Sequence, residues 1–202
     1  MTSAATALPD TSGTPSAWVQ AWAHLVQPGG KVLDIACGHG RHSRFFAQRG
    51  HPVTALDRDQ AALANLSDLA ASITSATAVQ TRCADIENGP YPLVGQTFNA
   101  VVVTNYLWRP LFPLICGNVA DGGVLIYETF AAGNETVGKP SRPDFLLQPG
   151  ELLQVCVQGG LRVVAYEDGF LDAPARFVQR VVAVRDVAGS GMRAKRLALR
   201  IP

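Results

Sequence analysis

Apolar residues fall at helical spacing early in this chain: Trp18, Ala21, Trp22, Leu25 and Val26 share one face, and Pro28-Gly29-Gly30 ends the run. Short apolar runs then alternate with helical stretches. KVLDIA (31–36) predicts a first strand, RHSRFFAQRG a helix closing at Gly50, and PVTALD (52–57) a second strand. RDQAALANLSDLAAS reads as an Ala/Leu-rich helix and TAVQTRCAD (77–85) as a third strand. FNAVVVTN (98–105) is the most hydrophobic run and predicts a buried central strand. A helix from Pro110 to about Asp121-Gly122-Gly123 leads into VLIYETF (124–130). GELLQVCVQ is the last helix, followed by two strands, LRVVAYEDG and ARFVQRVVAVR. Alternating strands and helices ending in a hairpin predict an α/β fold: a doubly wound, mainly parallel seven-stranded sheet with an antiparallel closing strand. Ligands are expected at the carboxyl ends of its strands. Residues 16–187 form the expected domain, 1–15 a leader without fixed structure, and 188–202 a basic tail.

Composition narrows the partners. With 48% hydrophobic and 16% charged residues, 202 residues suffice for one well-buried core. A net charge of +1 provides no overall positive field, so nucleic acid is not an expected partner and a small molecule is. Cys37, Cys83, Cys116 and Cys156 are scattered, without C-x-x-C or nearby histidine pairs, so no metal site is expected. Such thiols fit a reducing compartment, and with no signal or transit pattern at the start, a cytoplasmic location is expected. The longest uncharged stretch is interrupted by Pro90, Pro92, Gly95, Gln96 and Asn99, which argues against a membrane span. The Pro/Gly-rich segment from Ala131 to Pro149 is long for a connector and reads as a lid, with Phe145-Leu146-Leu147 as its anchor.

The chemistry concentrates at the strand tips. Asp34-Ile35-Ala36-Cys37-Gly38-His39-Gly40 joins the first strand to the first helix, and Gly38 and Gly40 allow a sharp turn with close approach to a ligand. Ser43 stands where a dinucleotide fingerprint needs its third glycine, which disfavours NAD. Asp57 ends the second strand, where a carboxylate can accept both hydroxyls of a ribose. Asp85 and Ile86 end the third, offering a carboxylate, an amide and an apolar cover for a purine.

The D-x-x-C-G-x-G order, followed by these two acidic strand tips, resembles the class I S-adenosylmethionine (SAM) dependent methyltransferases. NYLWRPLFP, GGVLIYETF and GNETVGKPSRPDFLLQPGEL look like their tellurite-resistance and related small-molecule branch. The resemblance implies SAM as cofactor, held by Asp34, Ala36, Cys37, Gly38, Gly40, Asp57, Arg58, Asp85, Ile86 and Thr104. It further implies in-line methyl transfer to a small acceptor, with Asn105, Tyr106, Trp108 and Arg142 as acceptor-binding residues and Tyr106, Glu128 and His42 as catalytic ones. The fourth strand ends Thr104-Asn105-Tyr106, not in the Asn-Pro-Pro-Tyr type of motif associated with methylation of nucleic-acid bases. The alternatives are an NAD(P)-dependent oxidoreductase of similar sheet type and a non-catalytic SAM-binding module. For Glu128 a salt-bridge role and for Asp57 an N-cap role compete with the chemical ones.

Overall fold

The computed structural model describes residues 13–66 and 79–187. Most of the expected leader, the far end of the Ala/Leu-rich helix, the first residues of the third strand and the basic tail lie outside them. The opening helix α1 (Ala17–Trp22) is capped by the Ser16 hydroxyl, which accepts from the Trp18 N–H, and a 3-10 turn (Ala23–Leu25) completes it. Then follow β1 (Val32–Ile35), α2 (Arg41–Ala47), β2 (Val53–Asp57), α3 (Gln60–Ala64), β3 (Val79–Cys83) and β4 (Phe98–Thr104). The second half contains α4 (Phe112–Gly117), β5 (Val119–Phe130), α5 (Glu151–Gln158), β6 (Arg162–Asp172) and β7 (Ala175–Val184).

The strands form one seven-stranded sheet in the order β3-β2-β1-β4-β5-β7-β6, with β7 antiparallel to both β5 and β6 and the other pairs parallel. Successive side chains of a strand face opposite sides, so the apolar run of β4 serves two cores. Val101 and Val103 join Leu33, Ile35, Tyr127 and Leu152 on one face, while Ala100 and Val102 join Val19, Phe46, Val53 and Ile126 on the other.

Two expectations change. The helix from Pro110 is a 3-10 turn (Arg109–Leu111) followed by the short α4, and strand backbone resumes at Val119 instead of residue 124. The reason lies in the β4–β5 register: Val119 pairs with Phe98 and Val124 with Ala100, so β5 bulges between them. Gly122 has φ +70, and a Cβ at Gly123 would lie 2.8 Å from the Ala120 carbonyl oxygen. These glycines bend a strand and do not end a helix. The second change concerns the segment after β5. Ala131 bridges Leu147, the Leu147 N–H donates to the Phe130 carbonyl, and the Ala132 N–H donates to that of Leu147, so both ends of the excursion are tied together. Arg109 adds bonds of 2.9 Å to the Asp144 and Leu146 carbonyls, and Leu146 and Leu147 are buried while Phe145 is exposed.

Candidate functional site

At the carboxyl ends of β1, β2 and β3 lies a cleft of about 250 Å³ lined by Ala36, Asp57, Arg58, Ala84, Asp85, Ile86, Glu87 and Tyr106. This is slightly below the roughly 300 to 1,000 Å³ of ligand pockets and suits one part of an elongated ligand. The β1–α2 loop reaches it through left-handed backbone at Ala36, Gly38 and Gly40. A Cβ on Gly40, which has φ +75, would lie 2.3 Å from a Leu66 methyl, so a larger residue there would be strained and would displace that side chain.

The carboxylates are fixed by nearby backbone. Asp57 accepts from the Gly38 N–H at 2.7 Å and the Asp59 N–H at 2.9 Å. Asp59 caps α3 by accepting from the Ala61 and Ala62 N–H groups, which leaves Asp57 to face the cleft. Asp85 accepts from the Glu87 and Asn88 N–H groups and the Asn88 amide, and these bonds hold its carboxyl below the usual carboxylate range.

The structure therefore gathers Ala36, Asp57, Arg58, Asp85, Ile86 and Tyr106 around one cleft and adds Ala84 and Glu87, which sequence reasoning missed. Their signal was adjacency alone: each sits next to a strand-tip residue already singled out. Asp34, Cys37, Gly38, Gly40 and Thr104 do not line it. Asp34 is buried and accepts from the Ser43 hydroxyl at 2.6 Å, tying β1 to α2, and burial pushes its carboxyl up to about 7. Cys37 is buried, which pushes its thiol up, and its carbonyl accepts from the Gly40 N–H.

A second cluster occupies the tips of β4, β5 and β7 beneath the N-terminal segment. The Ser16 N–H donates to His42 Nε2 at 3.1 Å, which places the ring proton on Nδ1, 3.3 Å from Thr104 Oγ1. Burial lowers His42 to about 3, so it stays neutral with both nitrogens engaged and presents no free base. Glu128 is buried as well: it accepts from the Ser16 hydroxyl at 3.0 Å and pairs with Arg180 at 3.3 Å and Arg176 at 3.5 Å. Of its two sequence readings, the salt-bridge one describes these contacts. Asn105 has φ +54, its N–H donates to the Glu128 carbonyl, and its side-chain oxygen accepts from Arg176 at 3.5 Å.

Tyr106 joins the two clusters. It lines the cleft with Glu87, which acts on its buried hydroxyl, and its carbonyl accepts from the buried Tyr127 hydroxyl at 2.8 Å. Trp108 packs half-buried against the core and lines no part of the cleft. Arg142 is not brought to the site: its side chain is 71% exposed and paired with Asp144, because the tied ends of its segment hold it outside. Ser16, Arg176 and Arg180 were not foreseen, since only the β5–β7 register places Arg180 opposite Glu128. Among the described residues, no group of three or more His, Cys, Asp or Glu is arranged to hold a metal ion, and no helix is long and apolar enough to cross a membrane.

Residues 32–120 match the family model described as Methyltransferase domain. Among solved structures, the chain is similar to TehB from Haemophilus influenzae, with 23% identity and TM-score 0.64, over 84% of this chain and 61% of that one. It is similar to the glycopeptide N-methyltransferase MtfA complexed with SAM, with 19% identity and TM-score 0.60, over 91% of this chain and 100% of that one. It is similar also to the [4+2]-cyclase SpnF, with 17% identity and TM-score 0.63, over 85% of this chain and 79% of that one. No curated protein matches the chain by sequence. The chain thus has the Rossmann-like fold of these solved structures, and its residues 32–120 match a methyltransferase domain. It spans about 61% of the length of the Haemophilus TehB chain.

Proposed function

We propose that this chain binds SAM in the cleft and transfers its methyl group to a small-molecule acceptor seated toward the tips of β4, β5 and β7. The observation that carries the reading is the convergence of the Asp57 and Asp85 carboxylates on one cleft beside the left-handed Gly38–Gly40 turn. Asp57, fixed through the Gly38 and Asp59 N–H groups, meets ribose hydroxyls. Asp85 and Ile86 meet the purine, Arg58 and Ala36 close the sides, and the Gly38–Gly40 backbone leaves room for the rest of the ligand. Asp34 and Thr104 act from behind, by holding α2 and His42 in place.

Bound SAM supplies a methyl group already activated by its sulfonium. What remains for the chain is to align the acceptor and exclude water. His42 and Glu128 are both engaged by neighbours, so an acceptor that reacts without a protein base suits this site best, such as a soft nucleophile already ionised in solution. A near-neutral chain supports a small acceptor over nucleic acid, and unpaired Cys37, Cys83, Cys116 and Cys156 support a cytoplasmic location.

Calorimetry with S-adenosylhomocysteine, NAD and NADP tests the cofactor. One S-adenosylhomocysteine per chain with no heat from the nicotinamide ligands is expected, and the reverse overturns the proposal. Since the cyclase SpnF shares the fold, binding alone does not establish transfer. Labelled methyl from SAM should appear in small molecules of a cell extract. Binding without any labelled product favours the non-catalytic module.

A further inference from the structure

The arginines of this domain are bonded to the protein in very different degrees. Arg109 makes bonds of 2.7 to 2.9 Å to Glu151 and to the Asp144 and Leu146 carbonyls. Arg162 holds Asp186 with paired bonds of 2.8 Å, and Arg185 caps the carbonyls of Cys116, Val119 and Gly159. Arg180 reaches Glu167 at 2.7 Å through Nε and lies over the Trp18 ring. Arg176 differs. Its two contacts, to Glu128 and Asn105, are both 3.5 Å long, and its Nε is buried with no partner at all among the described residues. A buried guanidinium donor left without a partner costs stability, so its natural partner is a group the described residues do not supply.

The surroundings indicate what that group is. Glu128 does not depend on Arg176, because the Ser16 hydroxyl and Arg180 already serve its oxygens at 3.0 and 3.3 Å. Asn105, against Arg176, carries left-handed backbone, and the next residue, Tyr106, walls the cleft. One side-chain contact, from Arg176 to Asn105, and one step along the chain, to Tyr106, lead to the cleft. The Arg176 side chain keeps 16% of its surface open although its Nε is covered. From the cluster of Arg176, Asn105 and Glu128 beside the cleft we infer that Arg176 binds a carboxylate carried by the acceptor, away from the atom that is methylated. A planar monoanion matches one guanidinium edge, whereas a phosphate dianion would sit against the neighbouring Glu128 carboxylate. The inference rests on the reading of this edge as the acceptor side.

The test follows the Arg176 Nε–H by ¹⁵N NMR in the full chain saturated with S-adenosylhomocysteine, the signal being assigned by its loss in Arg176→Gln. The probes are acetate, propionate and benzoate, the matching primary amides, and inorganic phosphate. At least one carboxylate should shift the signal in a saturable way while the amides leave it unmoved. Arg176→Gln should weaken that carboxylate at least tenfold with S-adenosylhomocysteine affinity kept within threefold. Equal response to amides, stronger binding of phosphate, or no response to any carboxylate overturns the assignment. The same titration without S-adenosylhomocysteine separates the two failures: a chain that does not bind the nucleoside yet still shows the Arg176 response loses the cofactor reading and keeps the carboxylate site.

Discussion

The two halves of the sheet's carboxyl edge are built by opposite means. At β1, β2 and β3 the polar groups are held mostly by close sequence neighbours: Asp57 by Asp59, and Asp85 by Glu87 and Asn88, with only the Gly38 contact spanning 19 residues. At β4, β5 and β7 the partners come from across the chain, with Ser16 and Glu128 separated by 112 residues, Arg176 and Asn105 by 71, and His42 and Thr104 by 62. The first edge is a set of local turns that leaves its carboxylates open to a ligand. The second is a buried network whose removal should be felt in folding as much as in binding.

Breaking the buried network should have the largest effect. Glu128→Ala leaves Arg176 and Arg180 without their buried counter-charge and should lower stability by about 3 to 5 kcal/mol in urea unfolding. Glu128→Gln should cost less, because it keeps the shape and an acceptor for Ser16. A loss below about 1 kcal/mol for Glu128→Ala would mean that the network is not structural.

On the open edge the balance reverses. Asp57→Ala should leave unfolding nearly unchanged but weaken S-adenosylhomocysteine by about 1.5 to 3 kcal/mol, as expected for loss of charge-assisted bonds. Calorimetry giving an unchanged dissociation constant would remove Asp57 from the site.

Asp34 and His42, at the junction of the two edges, sharpen the comparison through pH. The Asp34 carboxyl is raised from 3.8 to about 7, so its contribution to stability is full below about 4 and is lost as pH rises toward 7. His42 is lowered from 6.5 to about 3, so its contribution is full above about 6.5 and is lost as pH falls toward 3. Between about pH 4 and 6.5 the two slopes oppose each other. Asp34→Asn should make stability rise with pH across that window, and His42→Gln should make it fall, each by up to about 1.4 kcal/mol per pH unit. Urea midpoints at pH 4.5 and 6.5 decide, and parallel behaviour of both variants would contradict the assignment.

The smallest effect is expected at Arg142. Its exposed pair with Asp144 is worth no more than about 0.5 kcal/mol, and Arg142→Ala should leave methyl transfer unchanged. A fall in turnover per folded molecule would return Arg142 to the acceptor site.

The order of strands and helices, the central burial of β4 and the carboxylates at the open edge of β1, β2 and β3 were all readable in the residues. Each depends on short-range rules: apolar period, glycine at a left-handed turn, an acid at the end of an apolar run. The same rules misplaced the start of β5, because Gly122 and Gly123 mark a helix stop and a strand bulge equally well, and only pairing with Phe98 and Ala100 separates them. The resemblance offered Arg142 as an acceptor-binding residue, while Arg176 looked like one more position on an alternating strand. Register with β5, burial under the N-terminal segment and the exhaustion of other partners distinguish the two arginines, and none of these is a property of a stretch of sequence. Sequence by itself determined the elements and the local turns, since neighbouring residues decide them. Which charges are buried together, and which guanidinium keeps one donor without a partner among the described residues, was decided only when distant strands met and desolvated their ends.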